Sequence, residues 1–184
     1  YLPNTYDGYY LYPEYKTSHL NPEYTRADEV IAGRESRVFK EAAEVIKAGK
    51  LGDKFHAISD AHAEMMIKVA EAIAFNTLGR FILIVENNGA IANMQDDAMV
   101  EVVCELGING PRPMSVGNIP QFYLGLLVQQ VSCEKLLVDA YYEHSYQKAL
   151  EAFTLNRLIN DAKVARKILD ALIEANKGMW PELK

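Results

Sequence analysis

Residues 80–116 read RFILIVENNGAIANMQDDAMVEVVCELGINGPRPMSV. The run Phe81-Ile82-Leu83-Ile84-Val85 has the length and the β-branched content of a strand, so Arg80 to Glu86 is expected as a strand buried on both faces. Asn87-Asn88-Gly89 then signals a turn. Ala98 to Cys104 is expected as a second strand. Asn109-Gly110-Pro111 turns the chain again, and Pro113 to Val116 is expected as a short edge strand, where proline is tolerated in a sheet. Short strands joined by turns predict a small antiparallel sheet.

Helices flank this sheet on both sides in sequence. Upstream, Pro3, Gly8, Pro13 and Pro22 prevent one long helix over residues 1–24 and leave room for a short one between Asp7 and Tyr12. Thr25 is a good N-cap, and Asp28 three residues on places negative charge at the positive helix end. Ile31, Val38, Ala42, Val45 and Ile46 follow at helical spacing, and Gly49 and Gly52 stop that helix. Ser59 or Asp60 caps a second helix whose apolar face is Met65, Met66, Val69, Ala70 and Ile73. Downstream, Pro120 opens a long helix over 119–143. Ser145 starts a shorter one, Tyr146 to Phe153. The last covers Ala162 to Asn176, with Val164, Ile168, Leu172 and Ile173 inward, and Gly178 ends it. The class is therefore α+β, long helices packed on a small antiparallel sheet, with the helices segregated by sequence.

The totals fit one domain. The chain has 184 residues, 49% of them hydrophobic, and a net charge of −6. No basic stripe is present, which leaves out the electrostatic footprint of a nucleic-acid binder. No apolar run approaches the ~20 residues of a membrane span. Cys104 and Cys133 lack metal-binding spacing, and free thiols in a reducing cytoplasm are the reading that compartment chemistry favours. No signal peptide is visible. The chain opens on Tyr1 rather than Met and reads from the start like the middle of something.

Several residues bear on chemistry. Of the eleven tyrosines, Tyr1, Tyr6, Tyr9, Tyr10, Tyr12, Tyr15 and Tyr24 crowd the first stretch. Core packing with exposed hydroxyls explains such a cluster; so does a phenol used as a base or substrate clamp. A phenol titrates near 10, so a tyrosine base needs a neighbouring cation or metal. Arg26 stands in the first turn of a helix, where positive charge opposes the macrodipole. It reads either as a solvated arginine or as an anion clamp in which guanidinium and helix start face a phosphate or carboxylate together. His62 reads as a core or boundary histidine, and His19, His56 and His144 lack partners at metal-ligand spacing. Asn87-Asn88-Gly89 reads as a turn or as amides offered to a sugar, and Tyr141-Tyr142 as packing or interface. No GxGxxG, GxSxG or Walker loop occurs. The residues look like part of a site.

The blocks NTYDGYYLYPEY, TRADEV with GRE, AIAFNTLGRFILIVENNGAIANM, DDAMVEVVCELGINGPRP, GNIPQFYLGLLVQQVSCEKLLVDAY and DALIEANKGMWPEL together resemble the C-terminal half of glycoside hydrolase family 4. The likeness covers essentially the whole chain and is nearest to the branch acting on 6-phospho-α-glucosides such as maltose 6'-phosphate. It implies the C-terminal domain shared in outline with lactate and malate dehydrogenases, here spanning residues 1–184 as a substrate-binding and oligomerisation domain. It also implies an exception to two-carboxylate glycoside hydrolysis. NAD takes hydride from C3, a divalent metal such as Mn2+ polarises the oxygens, a base removes the acidified C2 proton, and the glycosidic oxygen leaves before water adds and hydride returns.

Carried across by motif, the tyrosine of NTY is Tyr6, which the resemblance makes the catalytic base. The arginine of TRADEV is Arg26, a substrate-binding residue. The family's dinucleotide loop, metal-binding Cys and His, and leaving-group acid belong to an N-terminal half that this sequence does not contain. NAD and Mn2+ are thus expected to be held mainly by that half, and Cys104 and Cys133 do not match the metal cysteine. Val103 stands where the family has a proline before the strand cysteine. The implied partners are a phosphorylated disaccharide, the NAD-binding half and further copies of the chain. The alternatives are a truncated, non-catalytic assembly module, a 6-phospho-β-glucosidase, or another family 4 glycosidase.

Overall fold

The structure, a computed structural model, describes residues 7–50, 61–159 and 161–184. The chain forms two compact units. The first runs through Gly79 and takes in Leu106–Gly110; the second comprises Arg80–Glu105 and Pro111–Lys184.

The first unit is helical. Where one short helix was expected there are two, α1 (Asp7–Leu11) and α2 (Pro13–Thr17), because Pro13 pre-sets the first turn of the second. α3 (Arg26–Ala48) begins and ends as its sequence predicts. Thr25 has extended dihedrals, its hydroxyl accepts from the Asp28 N–H, and the Asp28 carboxylate accepts from the Thr25 N–H at 2.8 Å, which closes a capping box. Gly49, at φ 68°, supplies the left-handed residue that stops the helix. α4 (Ala61–Phe75) follows; Gly52 and the proposed caps Ser59 and Asp60 lie outside the described residues. The apolar faces read from periodicity are only partly covered. Ala42, Val45 and Val69 are half-buried, but Ile31, Val38, Ile46, Met65, Met66 and Ile73 are exposed.

Three strands form one sheet in the order β1-β2-β3: β1 (Gly79–Glu86), β2 (Met99–Gly107) and β3 (Gly110–Pro113). Ile108 and Asn109 alone join β2 to β3, a connection open only to antiparallel neighbours, and the sheet is antiparallel. Two expectations change here. The edge strand is Gly110–Pro113 rather than 113–116, since the turn at Ile108-Asn109 brings the chain back onto β2 earlier; the Met114 N–H still donates to the Val103 carbonyl, and by Val116 the chain has turned away to the Ala90 carbonyl. β1 is not buried on both faces. Phe81, Leu83 and Val85 are half-buried while Ile82 and Ile84 stay exposed, an alternation that shows helices covering one face of the strand only.

The core of the second unit has two parts. Val100, Val102 and Cys104 of β2 pack with Ala90, Ile91, Met94, Ala98 and Val131, and Leu83, Val85, Ile119 and Leu124 close over them. Val131 and Leu124 belong to α5 (Gln121–Glu143), so this long helix is what covers the sheet. Around the far part of α5, Ala140, Ala149 and Leu169 form a second cluster with α6 (Tyr146–Leu155) and α7 (Ala162–Ala175). Small residues at 140 and 149 let these helices approach closely around Leu169, whose burial is worth ~1.5–3 kcal/mol. Caps fix the helix starts: Ser145 accepts from the Lys148 N–H, and Asp161 from those of Lys163 and Val164. α7 turns inward a face that shares only Ile173 with the one expected. Ala165 and Leu169 are buried and Ile173 packs beside them, whereas Val164, Ile168 and Leu172 are exposed.

Candidate functional site

Arg26 is the first residue of α3 and its side chain is 71% exposed. Glu29, one helical turn on, forms an ion pair with the guanidinium at 2.5 Å. The i,i+3 spacing made this partner legible in the sequence, although it was not singled out. The pair holds a planar, bidentate-capable donor group beside the positive end of a 23-residue helix. The capping box beside it keeps the Asp28 carboxyl below the usual carboxylate range, through hydrogen bonds from the Thr25 side chain and backbone. Asp28 is thereby committed to the cap, and Arg26 is the cation presented at this helix start.

Tyr6 lies outside the described residues. The segment that follows it is arranged around Gly8. A Cβ built on Gly8 would fall 2.1 Å from the Lys16 Cε, so the absence of a side chain lets the lysine stem lie along α1. Its ammonium sits 5.7 Å from the Tyr9 ring centroid, within the range of a cation–π contact. Sequence reasoning did not single out Lys16; glycine eight residues before a lysine is no signal until two helices fold together. Among the described tyrosines of this stretch, Tyr10, Tyr12, Tyr15 and Tyr24 are exposed and Tyr9 is half-buried, so these rings do not form a core, which corrects the packing reading. Tyr146 is half-buried and donates to the Asp170 carboxylate at 2.7 Å. That carboxylate raises the phenol's pKa, the opposite of what a tyrosine base requires.

The remaining candidates separate from one another. His62 is exposed on α4 rather than set in a core. His19 is exposed, with Nδ1 2.6 Å from the Tyr15 carbonyl and its ring tilted at 48° against the Tyr15 ring, centroids 4.6 Å apart. His144 is the left-handed C-cap of α5, with Nδ1 3.3 Å from the Glu182 carbonyl. His56 lies outside the described residues. Asn87 does not offer its amide to a ligand. It is fully buried, its Oδ1 accepts from the Ile91 N–H at 2.7 Å, and its Nδ2 donates to the carbonyls of Ile91, Met94 and Gln95. Tyr141 and Tyr142 are exposed and meet each other edge to face at 5.4 Å.

Cys104 and Cys133 are buried, and burial pushes both thiols up, away from the thiolate a metal takes. Among the described residues no group of three or more His, Cys, Asp or Glu side chains is placed to hold a metal ion. The described part of this chain therefore does not fit a metal centre. No helix among the described residues is long and apolar enough to cross a membrane.

Comparison with known proteins places these features in a family. Residues 1–159 match the family 4 glycosyl hydrolase C-terminal domain. The maltose-6'-phosphate glucosidase of Fusobacterium mortiferum is 53% identical over 184 residues, which is all of this chain and 41% of that protein. A 6-phospho-α-glucosidase from gut microorganisms, solved in complex with NAD and Mn2+, superposes with a TM-score of 0.93 at 84% identity; it is matched over 100% of this chain and 42% of its own. A second one, solved with NAD and glucose-6-phosphate, gives 0.92 at 50% identity with the same coverage. The chain thus spans about two fifths of the length of the relatives it matches. A domain match over most of the sequence and an identity above half along all of it have one reading: the chain belongs to family 4 of the glycosyl hydrolases.

Proposed function

We propose that residues 1–184 are the C-terminal substrate-binding and oligomerisation domain of a 6-phospho-α-glucosidase that hydrolyses 6-phospho-α-glucosides such as maltose 6'-phosphate. The observation that carries this is the 53% identity, along the whole chain, to a maltose-6'-phosphate glucosidase. NAD and a divalent metal supply the redox and Lewis-acid chemistry, and both are assigned to residues outside those described in this chain. Tyr6 is the general base for the C2 proton of the sugar. Arg26 binds the substrate's anionic group, with Glu29 holding the guanidinium in place. The exposed position of Arg26 at the start of α3 supports an anion site that is completed by a partner.

The exposed apolar residues of α3 and α4 support the NAD-binding half as that partner, and the exposed Tyr141-Tyr142 pair on α5 supports contact between copies of the chain. A phosphorylated substrate and two unpaired cysteines support a cytoplasmic setting.

The test is release of nitrophenol from p-nitrophenyl α-glucoside 6-phosphate by the protein together with its NAD-binding half. Release is expected to require NAD, Mn2+ and the sugar phosphate, and Tyr6→Phe is expected to reduce it by at least ~100-fold, the typical contribution of a positioned base. Release that proceeds unchanged without NAD, or that survives Tyr6→Phe, overturns the assignment.

A further inference from the structure

The connector from α4 to β1 holds two non-glycine residues in left-handed backbone, Asn76 at φ 53° and Leu78 at φ 55°. Asparagine tolerates that region; a leucine is seldom found there, because its Cβ crowds the following carbonyl. Such a conformation persists only where its surroundings over-determine it. The surroundings are explicit here. Asn76 Oδ1 accepts from the Ile108 N–H at 3.1 Å, across 32 residues of sequence. A Cβ built on Gly107 would lie 2.5 Å from that same oxygen and 2.8 Å from the Leu78 Cδ2. Both connector side chains therefore press on the residue at the end of β2 that has no side chain of its own.

The position of this cluster in the chain gives it meaning. The backbone passes from one compact unit to the other at Gly79–Arg80, at Glu105–Leu106 and at Gly110–Pro111. Leu78 stands next to the first passage, and Gly107 and Ile108 lie between the other two. All four residues of the cluster belong to the helical unit.

We propose that Asn76, Leu78, Gly107 and Ile108 form a strained latch, through which the α4–β1 connector and the β2–β3 turn open and close as one element. Breaking the Asn76–Ile108 bond removes a restraint on the connector. Leu78 can then relax to an ordinary negative φ, which lifts its side chain from Gly107 and frees the last turn of α4, while the bonds on the other side of β1 stay intact. The inference does not depend on the glycosidase reading.

Hydrogen exchange by NMR on the full chain tests it. Asn76→Gly keeps the left-handed conformation open and removes the side chain that carries the acceptor and presses on Gly107. It is expected to speed exchange of the Ile108 N–H and of the α4 amides at 72–75 together, tenfold or more. The Asn87 N–H, bonded to the Ala98 carbonyl at 2.8 Å, is expected to be unmoved. Leu78→Asn, which keeps a side chain suited to the left-handed region, is expected to slow the same amides and to raise Tm. Faster exchange at Ile108 with no change at 72–75 would reduce the feature to an isolated hydrogen bond and overturn the latch. A lower Tm for Leu78→Asn, or unchanged exchange at both places, would remove the stored strain on which the latch depends.

Discussion

The two compact units differ in what their apolar residues do. In the second, strands and helices close over two clusters, and Leu169, Cys104 and Ala149 are fully enclosed. In the first, α3 has a complete capping box at its start and a glycine stop at its end, yet Ile46 is 82% exposed and Ile31, Val38 and Phe39 are open. α3 is therefore specified by local signals, and the sheet with α5 to α7 by packing. Most helical stability in a folded protein comes from burying an amphipathic face. Exposed apolar residues along a well-capped helix are what a surface looks like when its complement is another polypeptide.

That contrast can be broken or sharpened in four ways. The largest effect is expected at Leu169, which has no exposed surface and is shared by three helices. Leu169→Ala should cost about 2–5 kcal/mol through lost burial and a cavity. A thermal melt should show it, since each kcal/mol shifts Tm by roughly 2–4 °C in a chain of this size. A loss below 1 kcal/mol would mean that the second unit is not the packed one.

Asn87 is the next largest. Asn87→Ala removes the acceptor for the Ile91 N–H and the donor to three carbonyls, in a site closed to water. A loss of about 2–3 kcal/mol is expected in denaturant melts, with the cost concentrated in the 87–98 connection. Asn87→Asp should not rescue it, since a carboxylate cannot donate to carbonyls.

Thr25 reports on the first unit. Thr25→Ala should cost about 1 kcal/mol through loss of the cap. The pH dependence has a defined sign. Asp28 is held below its unfolded value by Thr25, so its contribution is fully present above about pH 4 and fades as pH falls through the lower, folded value. The stability difference between wild type and Thr25→Ala should therefore shrink in acid. A constant difference from pH 7 to pH 2 would show that the Asp28 half of the box contributes nothing.

Ile46→Ala should have the smallest effect, within about 0.5 kcal/mol in the isolated chain, because the side chain is already in water. A larger loss in the presence of the NAD-binding half, read from the concentration dependence of Tm, would identify this face as a partner surface. An equal effect in both settings would argue that the face stays exposed.

Much of this was legible in the residues. Thr25, Asp28 and Gly49 set the ends of α3 through bonds reaching no further than four residues, and Ser145 does the same for the start of α6. Such signals need no knowledge of the rest of the fold. Leu83 and Val85 were rightly placed against a core, but Ile82 and Ile84 read as equally buried although only one face of β1 is covered. On α7 the residues read as inward were Val164, Ile168, Leu172 and Ile173; of these only Ile173 packs on the cluster, and the residues buried there are Ala165 and Leu169. Of the candidate site, Arg26 was legible as a helix-start cation, whereas its partner Glu29 was not singled out although the i,i+3 spacing offered it. Lys16 against Gly8 was not legible, because the contact depends on how α1 and α2 meet.

The sequence by itself determined the two ends of α3, the start of α6, the α+β class, the lack of a basic stripe and the membership of a glycosidase family. These follow from short-range hydrogen bonding, composition and long ordered blocks of residues. Only the tertiary structure decided which apolar residues are covered, that Asn87 serves the fold instead of a ligand, and that Leu78 is held in a backbone conformation it would not choose. Burial and strain depend on neighbours distant in sequence, and no local pattern encodes which neighbour arrives.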